Sequence, residues 1–331
     1  MQVEDMAQNS DTPWMAAMRR GDFAEAWRIS DAYLNDCLAR GGPDFTLPRH
    51  LQRVWDGRPL ADKHVLVRCY HGLGDTVQFL RFARPLRATT THVCLWAQPE
   101  LMQLVATASG IDLVLPLHDG PPPTDFDAHI EIMELGHALR IMPYDLPGEV
   151  PYLFARNVDN LTLSSAALRV GLVWSAGDFA PHRSMQARSF SPLSMISNIQ
   201  LYSFQRGPAR VQARDIPALD ISTPAIDDLV AALRAVDVII CIDTFVAHLA
   251  GALGLPVWLL LHAECDWRWM SELRRTVWYP TMRLFRQRTA GDWHSVIEDV
   301  AAELAKLAEG RRNADSIVRQ EQTKQFDVRP S

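Results

Sequence analysis

The chain contains 331 residues, of which 48% are hydrophobic and 22% are charged, and its formal net charge is -6. This length predicts two domains, and the negative charge argues against nucleic acid as a partner. Five cysteines without a CxxC pair predict a reducing, cytoplasmic compartment. The N-terminus is polar and the longest apolar runs are far shorter than the ~20 residues of a membrane span, so we expect at most peripheral membrane contact.

The first part of the chain is predicted to be helical. We expect residues 1–12 to be disordered and residues 13–60 to form a short helical cap. Apolar side chains recur at helical spacing between Phe23 and Leu34, and the Gly-Gly-Pro sequence at 41–43 ends that helix. The two helices resemble a single tetratricopeptide unit, and the sequence shows no second copy.

An alternation of strands and helices begins at Lys63 and predicts a first domain over residues 61–165. Short β-rich runs separated by helical segments are typical of parallel βαβ units. The predicted strands are residues 64–70, 91–96, 113–117 and 128–132, and the predicted helices are residues 75–87, 99–109 and 135–140.

The alternation starts again after a stretch rich in Pro, Asn and Ser, which predicts a linker near residue 165 and a second domain over residues 166–308. The charged tail, residues 309–331, is expected to be disordered. Two such sets predict an α/β protein with two doubly wound domains, whose ligands bind at the carboxyl ends of the strands. The predicted strands are residues 169–175, 201–205, 237–242 and 256–261, and the predicted helices are residues 191–196, 224–236, 243–253 and 291–307.

One candidate site is the turn at residues 72–75, which follows a predicted strand and opens a helix. Gly72 and Gly74 would let a phosphate or a sugar approach the backbone closely. Val77 stands where the dinucleotide fingerprint requires a third glycine, which argues against a nicotinamide or flavin cofactor. Asp75 has two interpretations, a helix cap and a modest general base, and the spacing alone favours neither.

A second candidate site, Asp243 and Thr244, follows the apolar run VIICI and opens another helix. Free amide groups there, with the Thr244 hydroxyl, are suited to a diphosphate, whereas Asp243 would cap the helix or bind a sugar hydroxyl. His248 lies one turn further on the same face, although a lone histidine is more often structural than functional. No other His or Cys has metal-ligand spacing with it, so we expect no metal.

The loop over residues 176–189 supplies the candidate phosphate ligands of the second domain. Arginine suits bidentate phosphate contact, and we predict this role for Arg188, near a helix start. Arg183 is predicted to be a solvent-exposed loop charge. Gln205 ends the next predicted strand at the expected rim. Four aromatic residues further on are predicted mainly to fill the core rather than to stack on a ligand: Trp267, Trp269, Trp278 and Tyr279.

Several segments in both predicted domains resemble the heptosyltransferase-like glycosyltransferases of family nine, in particular the bacterial branch that is often fused to tetratricopeptide arrays. The similarity covers roughly residues 50–308 in the same order as in the family. The segments are RCYHGLGDTVQFLRFARPL, VGLVWSAG, ARSFSPL, LYSFQRG and CIDTFVAHLAGALGLPVWLLL, and the run that begins DWRWM is also similar to that branch.

The resemblance implies a GT-B fold, in which two Rossmann-like domains face a cleft. It also implies inverting, metal-independent transfer of a sugar from a nucleotide-sugar donor to a hydroxyl acceptor, with no cofactor. The acceptor would be a glycan, a lipopolysaccharide-like molecule or a protein. Asp75 matches the family's base on the acceptor hydroxyl, in the acceptor and phosphate loop with Gly72 and Gly74. The implied donor-binding residues are Trp174, Arg188, Gln205, Asp243, Thr244 and His248.

The sequence departs from the family pattern at three points. Phe245 stands where the classical heptosyltransferases have a glycine, and Gln205 with Arg206 replaces an acidic residue expected near the ribose. The family's catalytic lysine has no aligned counterpart, with Arg188 as its candidate replacement. These departures motivate a second hypothesis, a catalytically degenerate binding or scaffold protein. A sugar-nucleotide epimerase is a third, because that class also joins two Rossmann-like domains.

Overall fold

The computed structural model describes residues 12–122, 124–146, 148–154, 161–163, 167–177, 180–271 and 274–326. The disorder predicted for residues 1–11 and 327–331 lies outside these residues. Thr12 was included in that N-terminal prediction, yet it is buried and caps the first helix. Within the described part of the chain, no helix is both long and apolar enough to cross a membrane.

Two helices, α1 (Pro13–Arg19) and α2 (Phe23–Ala39), form an N-terminal hairpin. The Thr12 side chain accepts a hydrogen bond from the first turn of α1, and the Asp22 side chain does the same for α2. Gly21 adopts a positive φ of 74° between them, where a glycine is favoured. The structure thus confirms two helices here, whereas the tetratricopeptide likeness stays a prediction.

The first sheet is parallel and has four strands in the order β3-β2-β1-β4. Register is fixed by an apolar face of Val, Leu and Ala side chains that is fully buried on the helical side. All four strands were predicted to within two residues at each end. They are β1 (His64–Arg68), β2 (His92–Ala97), β3 (Leu113–Pro116) and β4 (Ala128–Glu131).

The helices of the first domain are shorter than the sequence pattern predicts. The helix expected over residues 75–87 begins earlier and is broken by a 3-10 turn at Leu80–Phe82. Pro85 has no amide to donate to the carbonyl of residue 81, which explains why one continuous α-helix does not form. Likewise, the helix expected over residues 99–109 is a 3-10 turn followed by a single α-turn. The α-helices are α3 (Leu73–Phe79), α4 (Ala83–Arg87), α5 (Met102–Val105) and α6 (Leu135–Ala138).

The second sheet is also parallel and has six strands in the order β10-β9-β8-β5-β6-β7. Four were predicted, and the two edge strands were missed. The strand at 218–220 has only three residues, and two of the five residues of the strand at 282–286 are arginines. The strands are β5 (Leu168–Val173), β6 (Ile199–Ser203), β7 (Ala218–Asp220), β8 (Val238–Ile242), β9 (Val257–Leu261) and β10 (Met282–Arg286).

Three α-helices accompany this sheet, α7 (Ile226–Arg234), α8 (Phe245–Ala252) and α9 (Trp293–Phe326). The helix predicted at 191–196 is instead a 3-10 helix over Ala187–Met195, with Pro192 inside it. A proline cannot donate an intrahelical hydrogen bond, which disfavours an α-helix there.

The prediction of a disordered tail from residue 309 was wrong up to Phe326, because α9 continues to that residue. Its sequence is rich in good helix formers. Arg311 also pairs with Asp237, which Arg169 holds through two further hydrogen bonds. Burial alone would raise the pKa of Asp237, but the hydrogen bonds from the two arginines lower it to about 2. The helix is therefore joined to the residue just before β8.

The two sheets do not have separate cores. One hydrophobic cluster runs from the N-terminal hairpin through the helices of the first domain to α7, α8 and one face of the second sheet. A second cluster fills the other face of that sheet under α9. A third, small cluster lies on the outer face of the first sheet around Leu66, Cys94 and Trp96. The shared cluster holds the first turns of α3 and α8 against each other.

Candidate active site

The two predicted turns meet at the boundary between the domains. The turn at residues 72–75 follows β1 and opens α3, and Asp243 and Thr244 join β8 to α8. A Cβ on Gly74 would lie 3.0 Å from His248 Cδ2 and 3.6 Å from Phe245 Cα. Gly74 is thus needed for the close approach of the two helices. Phe245, a departure from the family pattern, supplies backbone to this contact.

Asp75 is the third residue of α3, and Gly72 occupies the cap position. The Gly72 amide donates to Asp75 Oδ2 at 3.0 Å, so the carboxylate does stabilise the helix start. Its other oxygen, Oδ1, accepts a hydrogen bond from Arg268 Nη2, which belongs to the second domain. The side chain remains 26% exposed. Capping and access to the cleft are therefore compatible at this position.

Arg268 was not among the predicted site residues, although its segment, DWRWM, was noted in the family resemblance. It is buried on the 3-10 turn Trp267–Trp269. Nη1 donates to Asp266 Oδ1 at 2.9 Å, and Nε donates to Gln78 Oε1 at 2.7 Å. Burial would lower the pKa of Arg268, but the charges of Asp266 and Asp75 outweigh it and raise the pKa. The Arg268 guanidinium therefore stays protonated and positively charged.

Arg183 connects this pair to the second turn. Its Nη1 lies 3.1 Å from Asp243 Oδ2 and its Nη2 lies 3.5 Å from Asp266 Oδ2. The prediction that Arg183 is a solvent-exposed loop charge was therefore wrong. Arg188, predicted as the phosphate ligand, is exposed on the 3-10 helix Ala187–Met195. Within the described residues it makes no hydrogen bond or ion pair with either of the two turns.

Asp243 is buried and ends the row of charges at the start of α8. His248 Nε2 lies 3.7 Å from Asp243 Oδ1, and His248 Nδ1 lies 3.0 Å from the Tyr279 hydroxyl. Burial would raise the pKa of Asp243, but His248 and Arg183 lower it well below its ordinary range. The His248 ring also stacks on Trp269, with centroids 5.4 Å apart.

Charges alternate in sign along this row, which crosses the domain boundary. In the part of the chain that the structure describes, no group of three or more His, Cys, Asp or Glu side chains is arranged to hold a metal ion. The carboxylates are instead paired with guanidinium groups. In order, the row consists of Asp75, Arg268, Asp266, Arg183 and Asp243.

Thr244 is the cap residue of α8, but its hydroxyl donates to Ile242 O at 3.3 Å and does not cap the helix. The first amides of α8 therefore receive no side-chain cap. Uncapped amides at a helix start, together with the helix dipole, attract anions. The start of α8 therefore has the features expected for phosphate binding, beside the exposed edge of Arg183.

Trp174 and Gln205, predicted to bind the donor, are both buried. The Trp174 side chain belongs to the hydrophobic cluster under α9. Gln205 Oε1 accepts from the Trp174 and Ser175 amides at 3.0 and 2.8 Å, and Nε2 donates to the carbonyls of Ser175 and Arg206. The structure thus places both residues behind the rim, where they connect the ends of β5 and β6.

The loop before Asp75 is held by Gln98, the residue that follows β2. Gln98 Nε2 donates to the His71 carbonyl at 2.8 Å, and the Thr76 hydroxyl donates to Gln98 Oε1 at 3.0 Å. Burial lowers the pKa of His71 to about 4, even though the charge of Asp75 opposes that shift. His71 is therefore neutral at neutral pH and adds no positive charge beside Asp75.

The chain was compared with known families and structures. No family model matches it. Among curated proteins, it is 23% identical to the protein FlbA of Caulobacter vibrioides over 358 aligned positions, which cover 92% of this chain and 56% of FlbA. The chain thus spans little more than half the length of that relative.

Several solved structures share its fold at low sequence identity. The Escherichia coli ADP-heptose lipopolysaccharide heptosyltransferase II matches with a TM-score of 0.55 at 13% identity, over 75% of this chain and 99% of that one. A family 9 glycosyltransferase from Veillonella parvula matches with a TM-score of 0.53 at 13% identity, over 76% and 99%. The predicted architecture is confirmed: this chain has the two-domain α/β fold of the family 9 glycosyltransferases.

Proposed function

We propose that this protein is a glycosyltransferase that moves a sugar from a nucleotide-sugar donor to a hydroxyl acceptor. The observation that supports this best is the convergence of Asp75 and the start of α8 across the domain boundary. In a fold of this kind, that boundary is where a donor held by one domain would meet an acceptor held by the other. The names of the similar structures suggest an ADP-linked heptose as the first donor to test.

On the acceptor side, we propose Asp75 as the general base. Its carboxylate takes the proton of the acceptor hydroxyl while that oxygen bonds to the anomeric carbon and the bond from this carbon to the diphosphate oxygen breaks. A single displacement of this kind inverts the anomeric configuration. One partly exposed carboxylate supports this mechanism, and its two contacts leave further lone pairs for the acceptor.

On the donor side, we propose that the α8 amides and Thr244 bind the diphosphate and that Arg183 stabilises its developing charge. Arg183 replaces Arg188 in this role because it lies beside the start of α8, 3.1 Å from Asp243. A fixed guanidinium can stabilise a leaving diphosphate in place of a metal ion. Transfer without an added metal, and without a cofactor, therefore remains part of the proposal, as does a cytoplasmic location.

The proposal is tested with Asp75→Asn, which keeps the shape of the side chain and its acceptor oxygen. The assay would measure transfer of sugar to water or to octyl glycosides. The donors tested would be ADP-heptose, ADP-glucose, UDP-glucose and GDP-mannose. We expect the variant to lose about 10²- to 10⁴-fold in turnover, the usual contribution of a general base. Donor-induced thermal shifts should be retained, and EDTA should leave the wild-type rate unchanged. Normal turnover by Asp75→Asn would remove Asp75 from the mechanism.

The pairing of Asp75 with Arg268 favours one other candidate, a catalytically degenerate binding or scaffold protein. Here the two carboxylates at the helix starts are already neutralised by arginines, and the N-terminal hairpin would serve as a docking surface. If no donor in the panel binds or reacts, this second function is the better one. Isomerised donor in the absence of any acceptor would instead support an epimerase.

A further inference from the structure

Arg268 is the side chain of the second domain that enters the acceptor side of the site. Two of its three polar partners, Asp75 and Gln78, belong to α3 of the first domain. The third, Asp266, lies on its own turn. The guanidinium also lies over the rings of Trp267 and Phe79, 4.7 and 5.6 Å from their centroids. All three of its nitrogens are thus engaged, and a planar fork held in this way has one orientation.

Asp75 depends on this contact for its own orientation. The only other hydrogen bond that the described residues give its carboxylate comes from the Gly72 amide, to Oδ2. One hydrogen bond leaves the carboxylate free to rotate about χ2, whereas a second to Oδ1 fixes the plane of the group. Reaction rates are sensitive to such placement, since a misplacement of about 1 Å costs about 10²-fold.

The turn that carries Arg268 is itself under constraint. Met270, two residues further on, adopts a positive φ of 48°, a region that is costly for a side chain other than glycine. Arg286 donates to the carbonyls of Trp269 and Met270 at 2.9 and 2.6 Å. These bonds hold the turn from the side of the second domain.

The N-terminal hairpin holds the same turn from the other side. The Ser271 amide donates to the Arg19 carbonyl at 3.2 Å, and the Trp14 ring packs edge-on against Trp267 at 5.1 Å. The hairpin also contacts the first domain, where Trp27 Nε1 donates to the Ile141 carbonyl at 2.7 Å. It therefore bridges the two domains and fixes the position from which Arg268 reaches Asp75.

We infer that Arg268 is a positioning residue that reaches from the second domain and orients the Asp75 carboxylate for transfer. This inference rests on the proposed function, because it concerns how the proposed base is held. Among the hydrogen bonds that the described residues make, loss of the Arg268 side chain would leave the Asp75 carboxylate with that of the Gly72 amide alone.

The test compares Arg268→Gln, Arg268→Lys and Arg268→Ala with a matched control, Arg283→Gln. Arg283 is an arginine of the same domain that also lies over aromatic rings, but its ion pair is with Glu303, away from Asp75. The assay follows transfer of sugar to water and to octyl glycosides. The donor is whichever member of the same panel the wild type uses. The turnover number, the donor KM and the thermal midpoint are recorded for each variant.

We expect Arg268→Gln to lower kcat about 10²-fold with donor KM within about threefold of wild type. Arg268→Lys should recover part of the loss, because it restores the charge without the fork. Added guanidinium ion at millimolar concentration should raise the turnover of Arg268→Ala, which a purely structural role does not predict. Arg283→Gln should turn over as the wild type does.

Two outcomes would overturn the inference while leaving the proposed function intact. In the first, the wild type is active and the kcat of Arg268→Gln lies within about threefold of the wild-type value. The other is a joint loss of kcat, donor affinity and thermal stability that neither lysine nor guanidinium restores. A wild type that neither binds nor turns over any donor would overturn the proposed function itself.

Discussion

Gly251 offers a sharp test of how the donor side is packed. It lies on α8, three residues after His248, beneath the ring of Tyr279. A Cβ built there would lie 2.5, 2.6 and 2.9 Å from Tyr279 Cδ1, Cγ and Cε1. Carbon atoms normally pack about 3.5–4.0 Å apart, so the ring would have to move by about 1 Å. Tyr279 is fully buried, and Arg81 lies 4.7 Å from its ring centre.

Gly251→Ala therefore sets two opposing effects against each other. Alanine favours a helix over glycine by about 0.5–1 kcal/mol. Overpacking of a filled core typically costs about 1–3 kcal/mol. The clash should win, with a net loss of about 1–2 kcal/mol in the free energy of unfolding. Displacement of Tyr279 should also disturb its 3.0 Å hydrogen bond with His248 and so weaken donor binding.

Urea unfolding, followed by tryptophan fluorescence, would measure the effect. The matched control is Gly310→Ala in α9, where a new Cβ would have no heavy atom within 4 Å. That variant should gain about 0.5–1 kcal/mol. In a Tyr279→Ala background the cost of Gly251→Ala should disappear, because the clashing ring is gone. Equal stability of Gly251→Ala and Gly310→Ala would refute the packing described at this helix.

Two further predictions concern stability. Because burial lowers the pKa of His71 to about 4, against about 6.5 in the unfolded chain, its contribution to stability is complete above pH 6.5 and is lost as the pH falls toward 4. His71→Asn should therefore remove about 2 kcal/mol of the stability difference between pH 7 and pH 5, and an unchanged difference would contradict the burial of His71. Trp27→Phe should cost about 1–3 kcal/mol in urea unfolding, since it leaves the buried Ile141 carbonyl unpaired. The control is Trp14→Phe, which removes the half-buried hydrogen bond from the Trp14 indole to Ser30 and should therefore lower the free energy of unfolding by less.

Local patterns in the sequence predicted most of the fold. Buried parallel strands are continuous apolar runs, and the run before Asp243 is one of them. The patterns failed where a neighbour in space or a single proline decides the outcome. Pro85 breaks a helix that periodicity alone would continue. Arg311 lies in a segment whose charge suggested disorder, and its pairing with Asp237 requires the folded sheet.

The same distinction between local patterns and contacts distant in the chain applies to the candidate site. Asp75 and Asp243 could be proposed from the sequence because each lies at a strand-to-helix junction, which is a local feature of the sequence. Arg268 and Arg183 were missed in their roles because their partners are distant along the chain, 193 residues away for Arg268 and Asp75. The sequence predicts a charge on a loop but not the carboxylate that faces it.

That difference bears on the chemistry. Strand-end carboxylates alone would repel one another and a donor diphosphate, because charges of one sign would line the cleft. The two arginines offset this repulsion, because each forms ion pairs with two of the carboxylates. An incoming diphosphate can therefore take over part of the hydrogen bonding of Arg183 while Arg268 keeps Asp75 in place. In the proposed mechanism, Arg183 contacts the donor and Arg268 contacts the base, so binding of the donor need not disturb the base.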